Sequence, residues 1–397
     1  MTEETTHIPQ LRFPEFEGEW ARSKIGNKCD SIVPGRNKPK VFGGELPWLT
    51  TPDLNNKRIV FSSLSDLSIS RDEAKNIGSK VVPKGAVLMS CVGDLGLVSI
   101  AGCDLIINQQ LHAFIPLEGM DKDFLSNCII TNQKYLDRVA TKTAVPYLNK
   151  DNCNSIPIIH PHFPEQQKIA SFLTEVDKKI DLLQRKKYQL TAYKKGMMQK
   201  LFSQEIRFKD EDGKDFPEWE EKILADVMQE SLVKGAKGDK AQKLTVKLWG
   251  KGVYFKGSRG SANTQYYKRK SGQFIYSKLD FLNQAFGVIS KELDGMESTV
   301  DLPCFDIIDG SDTKFLLERI QQKNFYKKYG DMADGSRKAK RVHAHTFLRF
   351  SLFLPHPDEQ QKIADYLTAL DQKIELVDKK LTQAQSFKKG LLQQMFI

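Results

Sequence analysis

The sequence contains no run of about 20 apolar residues, which a membrane-spanning helix would need. Its first ten residues carry two acidic side chains and lack the apolar core of a secretory signal. The six cysteines never form a Cys-x-x-Cys pair, which argues against a zinc knuckle and against a disulfide framework. We therefore expect a protein of the reducing cytoplasm that makes no contact with a membrane.

Signatures of nucleotide binding and of methyl transfer are absent as well. The chain contains neither G-x-x-x-x-G-K-[ST] nor G-x-G-x-x-G, and it lacks the [ND]-P-P-[YF] motif of enzymes that methylate amino groups of DNA bases. No serine or cysteine lies in a nucleophile elbow. These absences predict a recognition subunit with no catalytic activity of its own.

Two patterns could still hold a metal ion. Asp53, followed by Glu73 and Lys75, resembles a nuclease motif and would require the two carboxylates to converge. Two histidine pairs have no carboxylate or cysteine at ligand spacing beside them: His160 with His162, and His343 with His345. Both patterns are common by chance, so we predict no metal site.

The strongest feature is an internal repeat. The segment that begins at Glu165 returns at Glu359, and 19 of 38 aligned pairs are identical through Phe202 and Phe396. A weaker repeat opens each half, at Leu11–Trp20 and again before Trp219. The predicted domains are 1–160, a first long helix at 161–205, a second domain at 206–355, and a second long helix at 356–397.

Short glycine-bounded motifs also occur twice. The pattern G-x-[VF]-[LI]-x-S appears at Gly85–Ser90 and at Gly272–Ser277, and G-[LV]-[VI]-S follows at Gly96–Ser99 and at Gly287–Ser290. Short β-rich segments bounded by glycine favour one mixed fold used twice. The predicted fold class is α+β, with two mixed α/β domains separated by two long helices.

The repeated segments have the periodicity of a coiled coil. Positions spaced alternately by four and three residues are apolar in eight of ten cases from Ile169 and in nine of ten from Ile363. The predicted interface residues are Ile169, Leu173, Val176, Ile180, Leu183, Leu190, Ile363, Leu367, Leu370, Ile374, Val377 and Leu381.

A helix of 38 residues, the length of the repeated segment, would extend for about 57 Å. Antiparallel pairing of the two copies would carry the domains to opposite ends and relate them by a pseudo-twofold axis. The alternative is two ordinary surface helices, each packed on its own domain.

The charge favours a polyanionic partner. The net charge is +10, and all of it lies in the first long helix and the second domain. Basic side chains that neutralise phosphates release counterions, which drives binding to nucleic acid. Lysine-rich surfaces that only face solvent are the alternative.

The offset of the repeat indicates where DNA would be read. It aligns Thr141–Leu148 with Gly335–Val342, so a loop with hydroxyl, lysine and tyrosine side chains stands opposite a strongly basic one. Arginine and lysine can bind guanine or phosphate, and glutamine can pair with adenine. The predicted DNA-binding residues are Gln109, Gln110, Lys142, Thr143, Tyr147, Lys256, Arg259, Gln265, Lys268, Arg269, Lys270, Arg337, Lys338, Lys340 and Arg341. The alternatives are a divergent solvated loop and, for residues 256–270, an exposed β-hairpin.

The motifs Pro164–Ile169 and Glu359–Ile363 carry a family resemblance. Over essentially all 397 residues, the chain resembles the specificity subunit of type I restriction-modification enzymes. Asp358 departs from the pattern, which often has glutamate there. The resemblance implies two target-recognition domains, each reading one half of a split, asymmetric site in double-stranded DNA, and an antiparallel coiled coil that sets the gap.

The resemblance also implies the partners. Two methylation subunits, which bind S-adenosylmethionine, would dock to this chain and methylate adenine in each half-site. Restriction subunits would use ATP and Mg²⁺ to translocate and cut unmethylated DNA. This chain would itself bind no cofactor. A standalone DNA-binding regulator, or an orphan scaffold without a methylation partner, is the competing interpretation.

Overall fold

The computed structural model describes residues 7–34, 37–55, 57–257, 260–331 and 341–397. The chain divides into two compact units, of which the first comprises Met1–Lys187 with Val377–Ile397 and the second Tyr188–Leu376. Each unit contains one predicted domain together with part of both long helices. Within the described ranges, no helix is long and apolar enough to cross a membrane.

Ten short strands and six α-helices begin in the described part of the first unit. The strands are β1 Ala21–Lys24, β2 Cys29–Ile32, β3 Leu46–Leu49, β4 Ile59–Val60, β5 Ser68–Ile69, β6 Val87–Ser90, β7 Val98–Ala101, β8 Ile106–Ile107, β9 Leu111–Pro116 and β10 Pro157–His160. The helices are α1 Thr51–Leu54, α2 Arg71–Asn76, α3 Lys122–Thr131, α4 Gln133–Val139, α5 Lys150–Asn154 and α6 Phe163–Phe202.

A five-stranded sheet with the order β2-β9-β6-β7-β4 forms the centre of this unit. Only the pairing of β4 with β7 is parallel in this sheet. Because side chains alternate along a strand, Val87 and Met89 of β6 pack into the core that includes α3, and Leu88 packs into a separate core on the other face. Smaller sheets are β5-β3-β8 and β1-β10.

Eleven strands and five α-helices begin in the described part of the second unit. The strands are β11 Glu220–Ile223, β12 Met228–Glu230, β13 Lys234–Lys237, β14 Leu244–Val246, β15 Val253–Phe255, β16 Gln265–Lys268, β17 Phe274–Tyr276, β18 Phe286–Val288, β19 Glu297–Ser298, β20 Cys304–Ile307 and β21 Ser351–Leu354. The helices are α7 Leu224–Val227, α8 Thr313–Ile320, α9 Lys323–Gly330, α10 Ala344–Phe347 and α11 Pro357–Met395. The sheets have the orders β12-β20-β17-β18, β13-β16-β19, β14-β15 and β11-β21.

The two units share a topology. The order β2-β9-β6-β7 in the first unit corresponds to β12-β20-β17-β18 in the second. The repeated glycine motifs fall on β6 and β7 in one unit and on β17 and β18 in the other, as equivalent strands should. The prediction of one mixed α/β fold used twice is therefore confirmed.

The long helices pair in antiparallel fashion within each unit. In the first unit, Lys388 Nζ forms an ion pair with Asp177 Oδ1, and Lys187 Nζ forms one with Asp378 Oδ1, each at 2.6 Å. In the second unit, Lys194 binds Asp371, also at 2.6 Å. Residue numbers rise along α6 as they fall along α11, which confirms the predicted direction of pairing. All twelve predicted interface residues are buried or half-buried.

A buried glutamate attaches each long helix to its domain. Glu165, near the start of α6, is 3% exposed and accepts hydrogen bonds from Arg12 Nε at 2.7 Å and Nη2 at 2.8 Å. This contact raises the pKa of Arg12. In the second unit, Glu359 is fully buried and accepts from Arg207 Nε at 3.2 Å and Nη2 at 2.8 Å.

The glutamine that follows each glutamate makes a second attachment. The side-chain oxygen of Gln166 accepts from the backbone amide of Asp121, which caps α3, and its nitrogen donates to the carbonyl oxygen of Pro161. Gln360 binds the amide of Asp312, which caps α8, and the carbonyl oxygen of Pro355 in the same way. The repeated Glu-Gln pair is thus the attachment point of each domain.

The Glu165→Gln variant tests this attachment. We expect it to lower the free energy of unfolding by about 1–3 kcal/mol, because Arg12 loses its charged partner in a largely buried position. Urea unfolding of the full chain measures the change. Glu175→Gln is the matched control: Glu175 pairs with Lys178 on an exposed face, and its loss should cost less than about 0.5 kcal/mol. Equal effects of the two substitutions would show that the buried pair is not a special attachment.

Candidate nucleic-acid interface

Three loops of the first unit meet where β6 ends. The backbone amide of Cys91 donates to the carbonyl oxygen of Gln110 at 2.8 Å, and the amide of Leu148 donates to the carbonyl oxygen of Cys91 at 2.8 Å. The amide of Gly93 donates to the carbonyl oxygen of Pro146. We call loops 91–93, 108–110 and 141–148 the first three-loop surface. It brings the two groups of residues predicted in this domain into one place.

The predicted side chains on this surface face solvent. Gln109, Gln110, Lys142, Thr143 and Tyr147 are all exposed. The Thr143 hydroxyl donates to the carbonyl oxygen of Val145 at 2.7 Å, and the Thr141 hydroxyl accepts from the amide of Tyr147, so the loop is ordered by its own hydroxyl groups. A cavity beside the glutamines is also lined by Lys38 and Trp48, which the sequence analysis did not identify.

Two titratable side chains beneath these loops, those of His112 and Cys91, are neutral at pH 7. His112 is 2% exposed, and burial lowers its pKa to about 4. Its ring lies 4.6 Å from that of Phe114. Burial raises the pKa of the Cys91 thiol to about 11. The positive charge of the surface therefore comes from lysine side chains such as Lys142.

The second unit repeats this arrangement of backbone contacts. The amide of Lys278 donates to the carbonyl oxygen of Asp301 at 3.0 Å, and the amide of Val342 donates to the carbonyl oxygen of Lys278 at 3.1 Å. Lys278 thus occupies the position of Cys91 in the first unit. We call residues 277–279, 299–303 and 341–342 the second three-loop surface.

The side chains of the second surface have different chemistry. Lys278 replaces a neutral cysteine, and Arg341 pairs with Asp301 at 3.6 Å. The predicted residues Arg337, Lys338 and Lys340 lie outside the described residues.

Lys278 is not among the residues predicted from the sequence, although the repeated glycine motif points to it. Lys278 follows the second copy of G-x-[VF]-[LI]-x-S directly, as Cys91 follows the first copy.

Of the remaining predicted residues, Gln265, Lys268, Arg269 and Lys270 lie on or directly after β16, and Lys256 directly follows β15. Lys256, Lys268 and Lys270 are exposed. Gln265 is half-buried, and its side-chain nitrogen donates to the carbonyl oxygens of Gly235 and Tyr266, so its amide already has backbone partners. Arg259 lies outside the described residues.

Arg269 has a structural role instead of the predicted one. It is 1% exposed, and its guanidinium donates to Ser298 Oγ at 2.8 Å and to the carbonyl oxygen of Ser231 at 2.6 Å. Burial lowers its pKa. A side chain that links strands inside the unit is not available to DNA, so Arg269 leaves the proposed set of contacts.

The nuclease pattern does not form a metal site. Asp53 is 1% exposed and accepts from the amides of Thr50 and Leu64, each at 2.6 Å. Glu73 accepts instead from the amide of Lys40 at 2.7 Å. The two carboxylates accept hydrogen bonds from different backbone segments, Asp53 from residues 50 and 64 and Glu73 from residue 40. In the part of the chain that the structure describes, no group of three or more His, Cys, Asp or Glu side chains could hold a metal ion.

The chain matches one family model in two places. Residues 19–192 and 217–386 match the type I restriction modification DNA specificity domain. The two matches cover most of the chain, and each includes one of the three-loop surfaces.

Curated relatives include specificity subunits of type I restriction enzymes. The MjaIX subunit of Methanocaldococcus jannaschii is 28% identical over 241 residues, which span 56% of this chain and 55% of the relative. The HindI subunit of Haemophilus influenzae is 27% identical over 36% of this chain and 31% of its own length. The MjaVIII subunit of M. jannaschii is 25% identical over 96% of this chain and 92% of its own length.

Two solved structures share the fold. The S subunit of the type I restriction-modification system from M. genitalium has a TM-score of 0.62 and 15% identity, with 98% of this chain and 99% of that chain covered. A chain from a structural study of type I complex assembly has a TM-score of 0.53 and 13% identity, with coverage of 95% and 96%.

The low pKa of His112 predicts that the first unit loses stability in acid. Its pKa is about 4 in the folded chain, against an ordinary value of 6.5, so the unfolded chain binds the proton more tightly. Stability from this group is complete above about pH 6.5 and is lost as the pH falls toward 4. We expect lowering the pH from 7 to 5 to cost about 2 kcal/mol more in the wild type than in His112→Asn.

Urea unfolding at the two pH values measures this difference. His162→Asn, at an exposed histidine, is the control and should keep the wild-type pH dependence. If His112→Asn keeps it too, His112 is not the group responsible.

Proposed function

Because the chain belongs to the type I restriction modification DNA specificity family, we propose that it selects the DNA sequence on which a restriction-modification complex acts. The observation that carries this proposal is the pair of three-loop surfaces. Both have the same backbone contacts, but Cys91 and Gln110 in one correspond to Lys278 and Asp301 in the other. Two surfaces with equivalent backbone contacts and different side chains suit a DNA site with two different halves.

Recognition divides between phosphates and bases. Lysines such as Lys142 and Lys278 neutralise phosphates, which supplies affinity that does not depend on sequence. The side-chain amides of Gln109 and Gln110 suit adenine, and the guanidinium of Arg341 suits guanine. The proposal places the two half-sites at a spacing that follows the roughly 34 Å repeat of B-DNA.

The chain acts in this proposal as a scaffold without catalytic activity. Two methylation subunits, which bind S-adenosylmethionine, dock to it and methylate adenine in each half-site. Restriction subunits that use ATP and Mg²⁺ join the same core. The two repeated helices favour such a scaffold over a standalone regulator, because a lone regulator has no need to display the same partner surface twice.

Two double variants test the assignment of one surface to each half-site. Gln109→Ala with Gln110→Ala changes the first surface, and Lys278→Ala with Arg341→Ala changes the second. We expect each double variant to weaken binding by about 1–3 kcal/mol per lost base contact and to relax sequence preference in one half only. Selection of bound duplexes from a random library, by the full chain with its methylation partner, measures both effects.

Lys214→Ala is the control for lost charge. Lys214 is an exposed lysine outside both surfaces, so its removal should leave sequence preference unchanged. The assignment fails if both double variants alter the same half-site or if neither alters any.

A further inference from the structure

The second unit carries an exposed aromatic hairpin outside its three-loop surface. Strands β14 and β15 pair from Leu244–Phe255 to Val246–Val253, and the chain turns between them. Trp249 at the turn is 58% exposed, and Phe255 and Tyr254 on β15 are 54% and 43% exposed. Three exposed rings on one short hairpin are an unusual concentration of apolar surface on a folded protein.

The charge of the hairpin identifies the kind of partner. Residues 243–256 contain four lysines and no aspartate or glutamate. Lys247, Lys251 and Lys256 are exposed, and Lys247 Nζ lies 3.9 Å from the centre of the Tyr254 ring. Aromatic rings that stack on bases, beside cations that bind phosphates, are the side chains that contact unpaired or unstacked nucleotides. An apolar protein surface would leave these ammonium groups without partners.

The hairpin is packed firmly against its unit. Val253 lies against β18 at Gly287, where an added Cβ would stand 2.5 Å from the Val253 Cγ2 atom. The amide of Trp249 donates to the carbonyl oxygen of Asn283 at 2.7 Å, and the amide of Gly250 donates to that of Gln284 at 3.0 Å. The exposed rings are therefore presented on a fixed backbone.

Trp249 has a backbone conformation that does not favour tryptophan. Its φ is +61°, in the left-handed region, where a bulky side chain is strained and glycine is not. The exposed ring recovers little of that cost by burial. Strain that the surrounding fold maintains, at a side chain that the fold does not use, indicates a role outside the fold.

We propose that Trp249 stacks on a DNA base, or inserts between two base pairs, beside the half-site that the second three-loop surface reads. Lys247, Lys251 and Lys256 neutralise the neighbouring phosphates. Segment 278–284 links the two features, since Lys278 belongs to the three-loop surface and Asn283 holds the hairpin. The inference rests on the proposed function and adds a reader of DNA deformability to one half of the site.

Intrinsic fluorescence reports this contact directly. Of the four tryptophans, Trp20 and Trp219 are 2% and 7% exposed, Trp48 is half-buried, and Trp249 is exposed. We expect duplex DNA to quench the emission of the full-length chain, and this quench to be lost in Trp249→Phe. Trp219→Phe, which removes a buried tryptophan outside both three-loop surfaces, is the control and should retain the quench. A quench that is undiminished in Trp249→Phe overturns the proposal.

Trp249→Gly separates the role in binding from a role in folding. Glycine suits the left-handed backbone, so the melting temperature should equal or exceed that of the wild type. Loss of base stacking should weaken DNA binding roughly 5- to 100-fold. Unchanged affinity, or a loss of affinity that accompanies a lower melting temperature, overturns the proposal.

The same binding assay distinguishes this inference from the function on which it rests. If the wild type does not discriminate between DNA sequences, the proposed function fails and the inference fails with it. If the wild type discriminates and Trp249→Gly binds with the same affinity, only the inference fails.

Discussion

The structure of this protein depends on a buried ion pair between a glutamate and an arginine at the start of each long helix. Glu165 and Glu359 are almost wholly removed from water, and a carboxylate in that position needs a charged partner close by. Arg12 and Arg207 supply that charge from the first segment of each domain. Each domain is thereby attached to the beginning of one helix, and the adjacent glutamine attaches a helix of the preceding domain, α3 or α8, to the same point.

A fixed attachment allows the loops to differ. The three-loop surfaces are defined by hydrogen bonds between backbone groups, such as those of Cys91 with Gln110 and of Lys278 with Asp301. Backbone contacts do not depend on which side chain is present, and side chains on both surfaces, such as Gln109, Lys142 and Arg341, face solvent. Substitution there costs little stability, so a shared frame can carry different readers.

The fold was largely predictable because its signals are repeated. Apolar residues that recur on average every 3.5 positions, together with a duplicated Glu-Gln motif, predict two paired helices. Glycine motifs that occur twice predict one fold used twice. Arg12 and Arg207 were not identified as partners of the glutamates, because each lies about 150 residues away along the chain.

The candidate site was less predictable, for physical reasons. The run that contains Gln265 and Arg269 alternates basic and aromatic residues, and sequence alone does not show which of them point into the unit. Arg269 is buried because Ser231 and Ser298 supply its partners from other strands. Trp249 left no signal because its left-handed backbone and exposure depend on contacts with a distant loop.

The most direct measurement of the central claim maps methyladenine in DNA from cells that express this chain with the proposed methylation subunits. Two different readers on one scaffold predict modified adenines in two short, dissimilar motifs separated by an unspecified stretch of constant length. Modification confined to a single uninterrupted motif would contradict the account.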